Sequence, residues 1–187
     1  MIRNLVNKIG NVLPRIRSYY VYEVKNHVNN IESYPIIFKE VTNDNVRDAI
    51  LFRDENVVNK FELFLSNGEF GLYGYYQGKV IVHGWVIMNK SFKNKLVNNY
   101  FLLPSKAAYI HFCNVNPKYR GKKVYQALLL ELYRRLELAE YSIYIDTNDW
   151  NMVAQKAIEH TGAKFIYCLK TIWIFEKCVM KFVYKDE

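Results

Sequence analysis

What the chain lacks narrows the field first. No stretch approaches the roughly 18 consecutive apolar residues needed to cross a bilayer as a helix. The N-terminus has no compact apolar segment closed by small residues, so neither a membrane span nor a signal peptide is expected and the cytoplasm is the default compartment. Cysteine is scarce and unpatterned: Cys113, Cys168 and Cys178 are odd in number and show no C-x-x-C spacing. That argues against a disulfide framework and a structural zinc site, and leaves three reduced, buried thiols as the expectation; no metal is expected. Glycine is also sparse, and neither G-x-x-x-x-G-K-[ST] nor G-x-G-x-x-G occurs, so the familiar nucleotide-binding loops are excluded. There are no internal repeats and no low-complexity segments.

What is present suits one ordinary domain. The 187 residues are 51% hydrophobic, enough for a packed core. A net charge of +8 favours acidic partners, and nucleic acid, an anionic membrane surface and a phosphate-rich cofactor all qualify. The basic residues are spread along the chain and no recognised nucleic-acid-binding motif appears, so nucleic acid is not expected. Residues 1–18 place Ile2, Leu5, Val6, Ile9, Val12 and Leu13 at spacings of three and four among Arg3, Lys8, Arg15 and Arg17, the pattern of a short basic amphipathic helix. Such a helix packs on its own domain, packs on a second subunit in a homodimer, or rests on a membrane surface. The domain proper is expected over residues 19–187.

Along that domain the composition predicts strands at Ser18–Lys25 and Tyr34–Val41, and helices over 44–52 and from about Val57 to Leu65. Phe70–Tyr76 and Lys79–Met88 flank Gln77-Gly78, a two-residue turn suited to a tight hairpin. Asn89–Ser105 reads as a polar connection carrying Tyr100 and Phe101, long enough to be functional. Ala107–Val115 reads as a strand, and Val124–Leu138 as a helix with Val124, Leu128, Leu132 and Leu136 on one face. A strand at Tyr141–Ile145, a helix at Asn151–His160 and strands at Lys164–Lys170 and Thr171–Lys181 complete a mixed α/β domain whose sheet is at least partly antiparallel.

The chemistry-bearing segment is Asn116-Pro117-Lys118-Tyr119-Arg120-Gly121-Lys122-Lys123, which joins a strand directly to a helix. The first amides of a helix lack partners inside it, and the helix dipole is positive there, so such a start attracts phosphate. Gly121 lets a ligand approach the backbone, and Arg120, Lys122 and Lys123 add charge. A basic turn before a helix is equally a solvated loop, and the residues alone leave both readings open.

The run from Phe112 to Leu128 resembles motif A of the GNAT N-acetyltransferases, in which a strand passes through an Arg/Gln-x-x-Gly-x-Gly/Ala loop into a helix. Asp146 to Ala154, continuing to Gly162-Ala163-Lys164-Phe165, resembles motif B of the same family, so the likeness covers roughly 107–166. The resemblance implies a single GNAT-type α/β (α+β) domain with a mostly antiparallel central sheet flanked by helices, and acetyl-CoA as co-substrate. It implies that Cys113, Asn114 and Val115 pair with the pantetheine arm, that Arg120, Gly121, Lys122, Lys123, Val124 and Tyr125 hold the pyrophosphate, and that Asn151 contacts the cofactor. Three positions depart from the pattern: Lys123 and Tyr125 stand where the family keeps glycine or alanine, and Ile158 stands where it often has a tyrosine acid.

Transfer to an amine requires the neutral base, and an alkylammonium has a pKa of about 10.4, so a proton acceptor is needed. Strand alternation puts Tyr109, His111, Cys113 and Val115 on one face, which makes His111 and Tyr109 the candidate bases and His83 a third; each is equally a packed sheet residue. The expected activity is acetylation of a primary amine on a small molecule, an amino sugar being suggested by the look of the N-terminal extension. A catalytically silent domain that binds CoA or a protein partner is the alternative.

Overall fold

The computed structural model describes residues 14–28 and 30–185. Most of the expected basic helix at 1–18 therefore lies outside the described residues, and its last part is corrected. Arg15–Val24 form strand β1, whose Tyr19, Val21 and Tyr22 are buried and need an extended backbone to pair on both sides.

After β1 come β2 (Ile37–Glu40), a 3-10 helix (Val46–Leu51), α1 (Glu55–Ser66), β3 (Phe70–Tyr76), β4 (Lys79–Asn89), β5 (Lys95–Val97) and β6 (Phe101–Leu103). The second half holds β7 (Ala107–Val115), α2 (Val124–Glu137), β8 (Ser142–Asn148), α3 (Met152–His160), β9 (Lys164–Ile174) and β10 (Lys177–Tyr184). Eight strands form one sheet in the order β10-β9-β1-β8-β7-β4-β3-β2, and β5 and β6 form a separate hairpin inside the segment expected as a polar connection. Every described pairing is antiparallel except β7 with β8. The break expected at Lys170/Thr171 falls instead at Phe175-Glu176, both at positive φ, because Thr171 is buried against Arg17 in the middle of a continuous β9.

The helices cover the sheet as their apolar spacing dictates. α2 lays Leu128, Leu129, Leu132, Tyr133 and Leu136 on one face over Val82, Val86, Ile110 and Ile143, and α3 adds Ile158 to the same cluster. The opposite face is covered by α1 and the 3-10 helix, where Phe61, Tyr73 and Trp85 are fully buried, and by the β5–β6 hairpin, where Tyr100 and Phe101 pack on Tyr109. At the Gln77-Gly78 turn both residues take positive φ, 49° and 74°, as the primed hairpin turn requires. No described helix is long and apolar enough to cross a membrane.

Candidate active site

The site is made by a failure of pairing. β7 and β8 are parallel neighbours from Ala107↔Ser142 to Ile110↔Ile145 and no further; beyond that point β8 continues against β1 as far as Tyr19↔Asn148. The strands fork because β7 bulges. Between the pairs Trp85↔His111 and His83↔Asn114, β7 spends one residue more than β4, and Phe112 takes φ 50°. A bulge bends its strand and reverses the facing of everything after it.

This overturns the expectation that Tyr109, His111, Cys113 and Val115 share a face. Tyr109 and His111 lie with the hairpin and α1, whereas Cys113 and Val115 lie with α2, where the Cys113 Sγ faces Leu128 and Leu132 across Gly84. Burial pushes the Cys113 thiol up to about 12, so it stays protonated and is no nucleophile. Cys113, Cys168 and Cys178 are each half-buried.

A cleft of about 1220 Å³ runs through the fork, lined by both arms, the start of α2 and one side of α3. At its mouth Gly121 takes φ 74° with nothing within 4 Å of where a Cβ would stand, and Lys123 takes the left-handed φ of 56° as N-cap of α2 without a side-chain cap bond. The first helical bond runs from Ala127 N to Lys123 O, which leaves the amides of Val124, Tyr125 and Gln126 uncapped and facing outward. Cys113, Asn114, Val115, Arg120, Gly121, Lys123, Val124, Tyr125 and Asn151 all line the cleft. Arg120 is tied back through Nε to the Val115 carbonyl at 3.4 Å, and Asn151 caps α3 by accepting from Ala154 N at 3.2 Å. Lys122 is the exception among the expected contacts. Its ammonium sits over the Tyr34 ring, 5.1 Å from the centroid, and not in the cleft. Tyr125 packs its ring against the Leu128–Leu132 cluster on the cleft wall, and burial raises its hydroxyl well above the usual phenol value. Ile158 is wholly buried in that cluster, so no acid faces the cleft from its position.

On the far side of the fork, His111 Nε2 lies 2.8 Å from Glu69 Oε2, with both side chains nearly buried. Glu69 precedes β3 by one residue, so sequence reading had only separation to offer, not proximity. The pair fixes the ring and commits Nε2, which leaves Nδ1 to take a proton. Tyr109 stacks on His111 with centroids 6.1 Å apart, and its hydroxyl lies 3.1 Å from that of Tyr100. Burial holds the Tyr109 hydroxyl far above its usual value, so it keeps its proton and is corrected from candidate base to hydrogen-bond donor. His83 is corrected as well: it lies outside the cleft lining, wholly buried among Phe52, Phe61 and Phe112, and burial lowers it to about 3.

A residue that sequence reading passed over stands at the fork itself. Asp146 is the first residue of β8 beyond the last pair with β7; Tyr100 donates to its carboxylate at 2.8 Å, and burial raises its pKa to about 6. The only hint in the sequence was a carboxylate at the end of a strand inside motif B.

The cleft is thus a fork in a parallel strand pair with an uncapped helix start at its mouth. The profile of the acetyltransferase (GNAT) family matches residues 36–163, and the chain belongs to that family. No curated protein matches it by sequence. Among solved structures it is similar to a GNAT-family acetyltransferase from Colwellia psychrerythraea, with a TM-score of 0.64 and 15% identity over 98% of this chain and 62% of that one. It is similar to a GCN5-related N-acetyltransferase-like protein from Streptococcus suis, with a TM-score of 0.59 and 14% identity over 91% of this chain and 66% of that one. The chain thus spans less than two thirds of the length of either. The aminoglycoside N-acetyltransferase AAC(6')-Iy, solved with a bisubstrate analogue of CoA, superposes with a TM-score of 0.52 and 15% identity over 68% of this chain and 89% of that one.

Proposed function

We propose that the chain transfers an acetyl group from acetyl-CoA to a primary amine of a small molecule. The observation that carries this reading is the fork between β7 and β8, open toward the uncapped start of α2. A diphosphate at the amides of Val124, Tyr125 and Gln126, helped by Arg120 and Lys123, lets the pantetheine arm run along Cys113 to Val115 into the fork. The thioester then lies between the faces carrying Cys113 and His111. Complexes of AAC(6')-Iy with CoA give the same reading indirect support.

In the reaction, His111 Nδ1 takes one proton from the acceptor ammonium and passes it to solvent while Glu69 offsets the imidazolium charge. The neutral nitrogen attacks the thioester carbon, the C–N bond forms and the C–S bond breaks. The second nitrogen proton is lost as the amide forms and ends on the CoA sulfur. A thiol pKa of about 8.5 makes that departure feasible without the family's tyrosine acid. Backbone amides at the bulge and fixed orientation supply the remainder.

The silent alternative keeps one specific observation in its favour. Tyr125 puts a large ring on the groove wall where the family keeps a small residue. Thiol release from acetyl-CoA across a panel of amines decides between the two. Acetyl-CoA-dependent release with any amine supports transfer, and cofactor binding with no release from any amine supports the silent reading.

A further inference from the structure

The cleft is electrically lopsided. Arg120, Lys123 and Lys156 line its cofactor half, while among the described residues the half beyond the fork holds two carboxylates, Glu69 and Asp146, and neither lysine nor arginine. Glu69 already has a partner in His111. When His111 takes the proton of the reacting amine, it sets one positive charge against two carboxylates, Glu69 at 2.8 Å and Asp146, so one negative charge is left over. Tyrosine hydroxyls soften that charge without cancelling it: Tyr100 donates at 2.8 Å, and Tyr109 and Asn98 continue the chain at 3.1 and 3.3 Å. A carboxylate held away from water calls for a cation. The reacting nitrogen cannot be that cation, because it must be neutral when it attacks.

Resting on the transfer reading above, we infer that the acceptor carries a second ammonium group, bound at Asp146, and no anionic group. Tyr19 and Tyr100, stacked with centroids 4.4 Å apart, supply aromatic surface beside the carboxylate, and both line the cleft. Ring faces of this kind attract ammonium ions. A phosphate, a nucleotide diphosphate or a carboxylate on the acceptor would meet the carboxylates of Glu69 and Asp146 at this end and, among the described residues, no lysine or arginine. A nucleotide-linked amino sugar is therefore a poor fit, and a compact diamine or polyamine is the class that matches.

Three probes with the same four-carbon chain isolate the second group: diaminobutane, butylamine and aminobutyrate, which end in ammonium, methyl and carboxylate. Wild-type kcat/KM should be at least roughly tenfold higher for diaminobutane than for butylamine, and lowest for aminobutyrate, in line with the strength of charged hydrogen bonds. Asp146→Asn should collapse the diaminobutane-to-butylamine ratio toward one, chiefly through KM, with acetyl-CoA affinity by calorimetry unchanged. Tyr100→Phe, which removes only a hydroxyl, should lower the ratio in the same direction. Equal use of the three amines by the wild type, or a ratio that survives Asp146→Asn, overturns the inference. Calorimetric titration of diaminobutane into the CoA-saturated protein separates it from the reaction. Asp146-dependent binding without turnover would leave the anchor standing and remove the transfer reading, and no binding there with no turnover would remove both.

Discussion

Glu69 changes what His111 can do. A lone imidazole on a sheet face is as often packing as chemistry, but one clamped at 2.8 Å by a nearly buried carboxylate keeps one tautomer and gains a counter-charge when protonated. Glu69→Gln and His111→Ala should each lower kcat by roughly 10- to 100-fold or more, as general bases do, with acetyl-CoA affinity unchanged. Wild-type turnover in His111→Ala would remove it from the mechanism. Asp146 makes a second prediction at the same scale. Its pKa stands at about 6 in the folded chain against 3.8 for the free group, so the folded state holds the proton more tightly. That contribution is fully present below pH 3.8 and is lost as pH rises through about 6, where the folded chain must carry a buried charge. Asp146→Asn should therefore be more stable than the parent above pH 7, by on the order of 1–3 kcal/mol in unfolding free energy, and the gap should close near pH 4. A variant less stable than the parent at both ends would contradict the assignment.

Among the elements, α2 and its approach are the ones on which the proposed cofactor binding rests. Gly121 holds φ 74° over open space, so Gly121→Val would add backbone strain of roughly 1–2 kcal/mol and a side chain beside the open amides. A loss of acetyl-CoA affinity is the expected result by calorimetry. Tyr125→Ala should do the reverse and tighten binding, since it clears the groove wall; weaker binding would show that the ring helps to hold the cofactor. Much of this region was legible beforehand. Val124, Leu128, Leu132 and Leu136 announce the buried face of α2 by spacing alone, and Gln77-Gly78 announces the hairpin by its conformational needs. The bulge was not legible, because a phenylalanine at φ 50° is held there by the pairing of β4 with β7 and carries no local signature. Without it, alternation puts Cys113 on the wrong face. Glu69 and Asp146 were missed for a related reason: their roles come from tertiary proximity across three strands, which no periodicity reports.

For the whole molecule the relevant quantity is the distribution of its net charge of +8. The excess is not uniform over the cleft, whose mouth is basic and whose far end is acidic. On the proposed function, two oppositely charged ends would orient a long anionic donor and a cationic acceptor on opposite sides of the fork. Because the contacts at the mouth are exposed, raising salt from about 0.05 M to 0.5 M should weaken acetyl-CoA binding several-fold. Salt-independent binding would place the diphosphate elsewhere. The most direct test of the fork as a cofactor site is calorimetric titration of the wild-type chain with acetyl-CoA at low salt. One molecule bound per chain, with affinity lost in Gly121→Val, is the predicted result. No heat at millimolar acetyl-CoA would contradict it.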